Sequence, residues 1–272
     1  MQVRERLISN HNKKGHYRYD SINEVGRDST GSGLHSIRLG KHWFDFLYEN
    51  NNAGVTLVTF SAAVPLERPY PVFSGWSFPK YLPVNLLAFA DPAIASSPAI
   101  KTSWHLGNND IHGPNLARSI IDIFSPENET TLFFGASAGG YAALLHSYER
   151  PHSAAFVMNP RIDLKASPDI FIEAAIDDTS IPLNAKVLAR GPEDLKSLYA
   201  HEPMNHVFHL QNLGDAWYLK EQYGPFRNLM SENPNYHRIV KHWGRGHVAP
   251  PRKDYISLLS SLIESTPYWS IN

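Results

Sequence analysis

The chain has 272 residues, 42% of them hydrophobic and 19% charged, with a formal net charge of -1 at pH 7. That length and balance fit one globular domain with a substantial core, and the near-zero charge argues against nucleic acid or an anionic membrane surface as a partner. Cysteine is absent, which excludes disulfides, thiolate catalysis and Cys-ligated zinc, and the 14 histidines show no metal-binding helical spacing, so no metal or other cofactor is expected.

Met1-Gln2-Val3-Arg4-Glu5-Arg6 lacks the apolar character of a secretory leader, and no apolar stretch approaches the ~20 residues of a membrane helix. A cytoplasmic protein without a membrane span is the expectation. Residues 17–22, 36–39 and 43–48 read as strands, with a polar, glycine-rich turn region at 27–33. Residues 55–60 (VTLVTF) form a nearly continuous β-branched and apolar run, as a strand covered on both faces requires. Residues 84–90 read the same way and are stopped by Asp91-Pro92. In residues 114–124 an apolar face recurs at helical spacing behind Pro114, which suits a first turn.

A strand at 130–134, a helix from Ala138 to about Glu149 closed by Pro151, and a buried strand at 154–158 follow. Residues 159–205 break this rhythm. Short helices are expected from Ser167 and from Gly191, and the segment reads as a small cap or lid inserted over the rim of a sheet. Alternation resumes with a strand at 207–210, a helix at 216–230 and a strand at 236–241. A last helix carries Tyr255, Leu258, Leu259, Leu262 and Ile263 on one face. Strands alternating with helices predict an α/β fold, in which a mostly parallel central sheet carries helices on both faces.

The chemistry concentrates at Gly135-Ala136-Ser137-Ala138-Gly139-Gly140, directly after Thr130-Thr131-Leu132-Phe133-Phe134. A strand running through G-x-S-x-G into a helix is the nucleophile-elbow pattern. A serine on so sharp a turn needs neighbours without side chains, because strand and helix approach closely there. The alternative is a glycine-rich turn with no chemistry.

A serine hydroxyl needs a base to take its proton and an acid to orient that base. His247, in Gly246-His247-Val248, follows a late strand and precedes the last helix; His242 is its competitor. Asp215 follows the 207–210 strand and keeps the order Ser, Asp, His, while a helix N-cap is its purely structural role and Asp163 its substitute. The oxyanion calls for two backbone donors: Ala138 N–H after the serine, and Ala62 N–H, with Ala63 close behind, after the 55–60 strand. The Ser61 hydroxyl is a third candidate donor. Trp104, His105 and Trp76 are candidates to wall a substrate pocket, with buried packing as the alternative.

On these motifs the chain resembles the α/β-hydrolase superfamily over about residues 35 to 265, and the resemblance implies Ser137, Asp215 and His247 as nucleophile, acid and base. Phe60-Ser61-Ala62 stands where lipases and carboxylesterases carry His-Gly, a departure from those subfamilies. Phe73-Ser74-Gly75, Ala90-Asp91-Pro92, Trp104-His105-Leu106-Gly107 and Gln211-Asn212 with Asp215 are similar to accessory-secretion and capsule-biosynthesis proteins of this fold. That likeness implies acetyl transfer to surface glycans. The expectation is a serine hydrolase on a small or carbohydrate-borne ester, with an O-acyltransferase and a non-catalytic scaffold as alternatives.

Overall fold

The structure is a computed structural model and describes residues 5–8, 11, 13–26, 31–96, 100–166 and 185–271. Among these, nine strands form one sheet: β1 (His16–Tyr19), β2 (Gly33–Leu39), β3 (His42–Glu49), β4 (Val55–Phe60), β5 (Asn85–Phe89), β6 (Thr130–Ala136), β7 (Ser153–Met158), β8 (His206–Asn212) and β9 (Tyr236–Lys241). Their order is β1-β2-β3-β5-β4-β6-β7-β8-β9. Strands β5, β4, β6, β7, β8 and β9 run parallel, and β3 is antiparallel to both β2 and β5.

The central strands are apolar on both faces because both faces are covered. In β6, Phe133 enters one core with helices α1 (Gly113–Phe124) and α2 (Ala138–Ser147), whereas Leu132 and Phe134 enter the opposite core. There they meet Leu259, Leu262 and Ile263 of the C-terminal helix (Arg252–Glu264). Alternation along one strand thus feeds two layers. At the sheet's end, β9 is only partly buried and carries Arg238 and Lys241, charges that suit an unpaired edge.

Three expectations are adjusted. The strand expected at residues 17–22 ends at Tyr19, because Ser21 Oγ accepts from Asn23 N–H at 3.2 Å and caps a short 3-10 turn over Ile22–Glu24. The helix expected at 216–230 is not continuous: Ala216–Tyr218 and Gly224–Leu229 are α-helical, and Leu219–Tyr223 between them is a π-helical stretch. Pro225 has no N–H for the Glu221 carbonyl and its ring crowds that turn, so the helix widens before it. Within residues 159–205, the helix expected at Ser167 lies outside the described residues. The helix expected from Gly191 is a single turn, Lys196–Tyr199, and Val187, Leu195 and Tyr199 are buried against the α1 and α2 core.

Candidate active site

The C-terminal ends of β4, β6, β7, β8 and β9 lie side by side, and Ala62, Ser137, Ala138, Asp215 and His247 each hang from one of these ends or from the loop beyond it. This is where ligands bind in open parallel sheets. At the end of β6, Ser137 adopts φ 51° and ψ −114°, a conformation a non-glycine residue holds only when its surroundings enforce it. Two backbone bonds pin it: its N–H donates to Met158 O at 3.0 Å, and its carbonyl accepts from Arg161 N–H at 3.0 Å. The glycines are sterically obligatory. A Cβ on Gly135 would lie 2.1 Å from Gly139 O, and one on Gly139 would lie 2.3 Å from Phe60 O.

At the end of β8, Asp215 is buried and uses its two oxygens differently. Oδ1 accepts from Tyr218 N–H at 3.2 Å and caps the following helix, and Oδ2 accepts from His247 Nδ1 at 2.7 Å. The N-cap role and the candidate acid role are held together by one side chain. A carboxylate on Nδ1 fixes the tautomer and leaves Nε2 as the basic nitrogen.

Asparagines that the sequence reading does not weigh as site residues hold the His247 loop. Asn212 Nδ2 donates to the carbonyls of Gly244 (2.8 Å) and Gly246 (2.7 Å), and its Oδ1 accepts from Trp243 N–H at 2.9 Å. Asn159 Nδ2 donates to Val248 O at 2.8 Å, and its Oδ1 accepts from Asn212 N–H at 2.7 Å. Both are buried, and their signal in the sequence is an amide at the end of an apolar strand, Asn159 directly after β7 and Asn212 as the last residue of β8.

Tyr218 is a further residue that sequence reasoning misses. Its ring stacks on the His247 imidazole with centroids 3.9 Å apart, and its hydroxyl lies 3.4 Å from Ser137 Oγ. No hydrogen bond joins Ser137 Oγ directly to the His247 imidazole. The imidazole is engaged by Asp215 at its edge and Tyr218 on its face, and the tyrosine hydroxyl is the group that Oγ meets. The Arg161 guanidinium sits over the rings of Trp217 and Tyr218, 5.1 and 5.3 Å from their centroids. Burial holds the His247 pKa below the ordinary histidine value; Arg161 adds to this, and the hydrogen bond and charge of Asp215 oppose it. The result favours a neutral imidazole.

Of the candidate oxyanion donors, Ala138 opens α2, where an N–H has no intrahelical acceptor. The N–H of Ala62 makes no hydrogen bond among the described residues, and Ala62 is partly exposed. Ser61, Trp104 and His105 are all buried, at 1%, 5% and 4% exposure, which for Trp104 and His105 is the packed arrangement given as the alternative to a pocket wall. The cause is the backbone at Trp104 and His105, both left-handed, which turns this segment under the end of β4. Trp76 is half-exposed and lines a separate cavity with Lys13, Lys14 and Lys80. Asp163 Oδ1 accepts from Lys165 and Ala166 N–H in a local turn, and His242 is exposed beyond β9, so neither takes part in the Asp215–His247 pair. Among the described residues no cluster of His, Asp or Glu could hold a metal ion, and no helix is long and apolar enough to cross a membrane.

No family model and no curated protein matches the sequence. Solved structures do match the fold. The capsule O-acetyltransferase of Neisseria meningitidis serogroup A superimposes with a TM-score of 0.61 at 18% identity, over 90% of this chain and 100% of that one. A histidine-to-alanine mutant of that enzyme in complex with CoA gives 0.58 at 17% identity, over 94% and 100%. An S-formylglutathione hydrolase from Agrobacterium tumefaciens gives 0.51 at 13% identity, over 88% and 93%. The chain has the α/β-hydrolase fold.

Proposed function

We propose that the protein is a serine-dependent acyl-transfer enzyme in which Ser137 is the nucleophile, His247 the base and Asp215 the orienting acid. The observation that carries this reading is the 2.7 Å bond from His247 Nδ1 to Asp215, on the same rim as a serine held in a strained elbow. In the proposed cycle, Ser137 Oγ attacks an acyl carbonyl while His247 Nε2 takes its proton. The oxyanion is received by the N–H groups of Ala138 and Ala62, and His247 returns the proton to the departing oxygen or sulfur. A second nucleophile then gives up a proton to His247 and bonds to the acyl carbon, and Ser137 Oγ leaves, taking that proton back from His247.

When that nucleophile is water, the enzyme is a carboxylic ester hydrolase on a small or carbohydrate-borne acyl group. The likeness to a capsule O-acetyltransferase that spans its whole length supports a second reading, in which a sugar hydroxyl accepts the acetyl group from a thioester donor such as acetyl-CoA.

The test is labelling by a fluorophosphonate, expected for the native chain and lost in Ser137→Ala. Turnover of p-nitrophenyl acetate should fall by several orders of magnitude in Ser137→Ala and His247→Ala. Thiol release from acetyl-CoA that rises with added glycan selects the transferase, and release indifferent to glycan selects the hydrolase. Labelling retained in Ser137→Ala would overturn the assignment of the nucleophile.

A further inference from the structure

Beneath the end of β4, a buried histidine grips the peptide group that carries one of the two oxyanion donors. His105 Nε2 lies 3.0 Å from the Ser61 carbonyl oxygen and 3.4 Å from Ser61 Oγ. A carbonyl only accepts, so Nε2 carries the proton. Burial lowers the pKa of His105, consistent with a neutral ring protonated at Nε2 alone.

His105 is itself held firmly. Its ring meets Phe60 edge-on with centroids 5.1 Å apart, and its backbone N–H donates to Asp91 Oδ2 at 3.3 Å. Asp91 also accepts from Ser103 N–H (2.5 Å), Ser103 Oγ (2.6 Å) and Thr102 Oγ1 (2.9 Å). Trp104 and His105 are consecutive non-glycine residues with φ of 51° and 64°. Such a pair persists only where its surroundings enforce it, and the bonds converging on Asp91 supply that constraint.

The Ser61–Ala62 peptide is trans, since the cis bonds precede Pro71 and Pro267. In a trans peptide the N–H points opposite to the C=O. Seating the Ser61 carbonyl on His105 therefore directs Ala62 N–H away from the imidazole, and that N–H meets no acceptor among the described residues. A proton donated to the carbonyl also polarises the peptide and strengthens its N–H as a donor.

We propose that His105 is a positioning residue for the oxyanion hole, whose Nε2–H fixes the Ser61 carbonyl so that Ala62 N–H is presented to the substrate oxyanion. The inference rests on the acyl-transfer reading above. No contact between His105 and substrate is involved.

Kinetics of the full chain with p-nitrophenyl acetate test it. His105→Phe keeps the bulk of the ring without the donor, and His105→Gln keeps a donor. Lactate in place of Ala62, introduced as a backbone ester, deletes the N–H and leaves His105 in place. His105→Phe should lower kcat by about 10- to 100-fold with KM within about threefold, and His105→Gln should recover most of the loss. The backbone ester should cost a similar factor, and adding His105→Phe to it should cost little more. Two losses that multiply, or full kcat in a folded His105→Phe chain, overturn the proposal. If His105→Phe does not fold, the ester variant decides: lowered kcat at constant KM supports the proposal and full activity overturns it. A native chain inert to both p-nitrophenyl acetate and fluorophosphonate overturns the acyl-transfer reading and this inference with it. An active native chain with a fully active His105→Phe variant overturns this inference alone.

Discussion

The hydroxyls of Ser137 and Tyr218 face each other across 3.4 Å, while the ring of Tyr218 covers the imidazole of His247 at a centroid distance of 3.9 Å. One side chain thus touches both groups of the proposed proton transfer. An O···O separation of 3.4 Å is long for a hydroxyl pair, so the stacking matters more than the hydrogen bond. Tyr218→Phe is expected to change kcat/KM by less than about tenfold. Tyr218→Ala, which uncovers the imidazole and frees it to rotate, should cost about a hundredfold. Steady-state kinetics on p-nitrophenyl acetate rank the two, and a greater loss in Tyr218→Phe would show that the hydroxyl is the working part.

The divided carboxylate of Asp215 separates stability from catalysis. Asp215→Asn keeps an oxygen for the Tyr218 N–H but loses the charge opposite His247 Nδ1. Stability should therefore change little while kcat falls by about 10³- to 10⁴-fold, the scale expected when a catalytic imidazole is left in the wrong tautomer. Asp215→Ala removes the cap as well and should cost about 1 kcal/mol in urea unfolding. Equal activity of Asp215→Asn and the native chain would remove Asp215 from the mechanism.

The pH dependence follows from the depressed pKa of His247. The proposed base works when neutral, so lowering pH should protonate it and activity should fall. Because burial and Arg161 lower the pKa, the midpoint should lie below the ordinary histidine value of about 6.5. Arg161→Met removes a positive charge that opposes protonation and should move the midpoint of kcat/KM upward. A midpoint that stays in place would assign the depression to burial alone.

Acid should also unfold the chain. Burial lowers the pKa of His35 to about 4 and those of His146 and His209 to about 3. Each group is neutral in the folded state yet takes a proton near pH 6.5 once unfolded, so its stabilising effect is present above about 6.5 and is lost as pH falls towards the folded value. Each can remove up to about 1.4 kcal/mol per pH unit across that window. Urea midpoints measured at about pH 7 and about pH 5 should differ, the lower pH being the less stable. Coincident midpoints would contradict neutral burial of these three rings.

The elbow predicts its own intolerance. Gly139→Ala would push a methyl into the Phe60 carbonyl at 2.3 Å, a backbone atom that cannot step aside without shifting β4. Loss of soluble folded protein, or a fall in thermal midpoint of several degrees with loss of labelling at Ser137, is expected. Native stability in this variant would mean that the strand and helix are farther apart than the structure places them.

How much is legible varies with the range of the interaction. The β4 and β6 strands and the elbow are local features, set by residues adjacent in sequence, and hydrophobic run length and glycine spacing report them directly. Asp215 and His247 are reachable from strand-end position alone. Tyr218, Asn159 and Asn212 are not, because their meaning depends on β7, β8 and β9 being neighbours in that order. The break at Pro225 is present in the sequence but hidden by an apolar pattern that continues through it.

What the residue order determined by itself was a layered alternation of strands and helices, with one serine on a turn that only glycines permit. Sterics over a few bonds suffice for that. The tertiary structure alone decided that Asp215 caps a helix and holds His247 at once, that Tyr218 meets both the serine and the imidazole, and that His105 lies under the β4 loop rather than in a pocket. Those outcomes depend on side-chain directions at strand ends brought together across the sheet, and on two left-handed residues, Trp104 and His105, that no periodicity encodes.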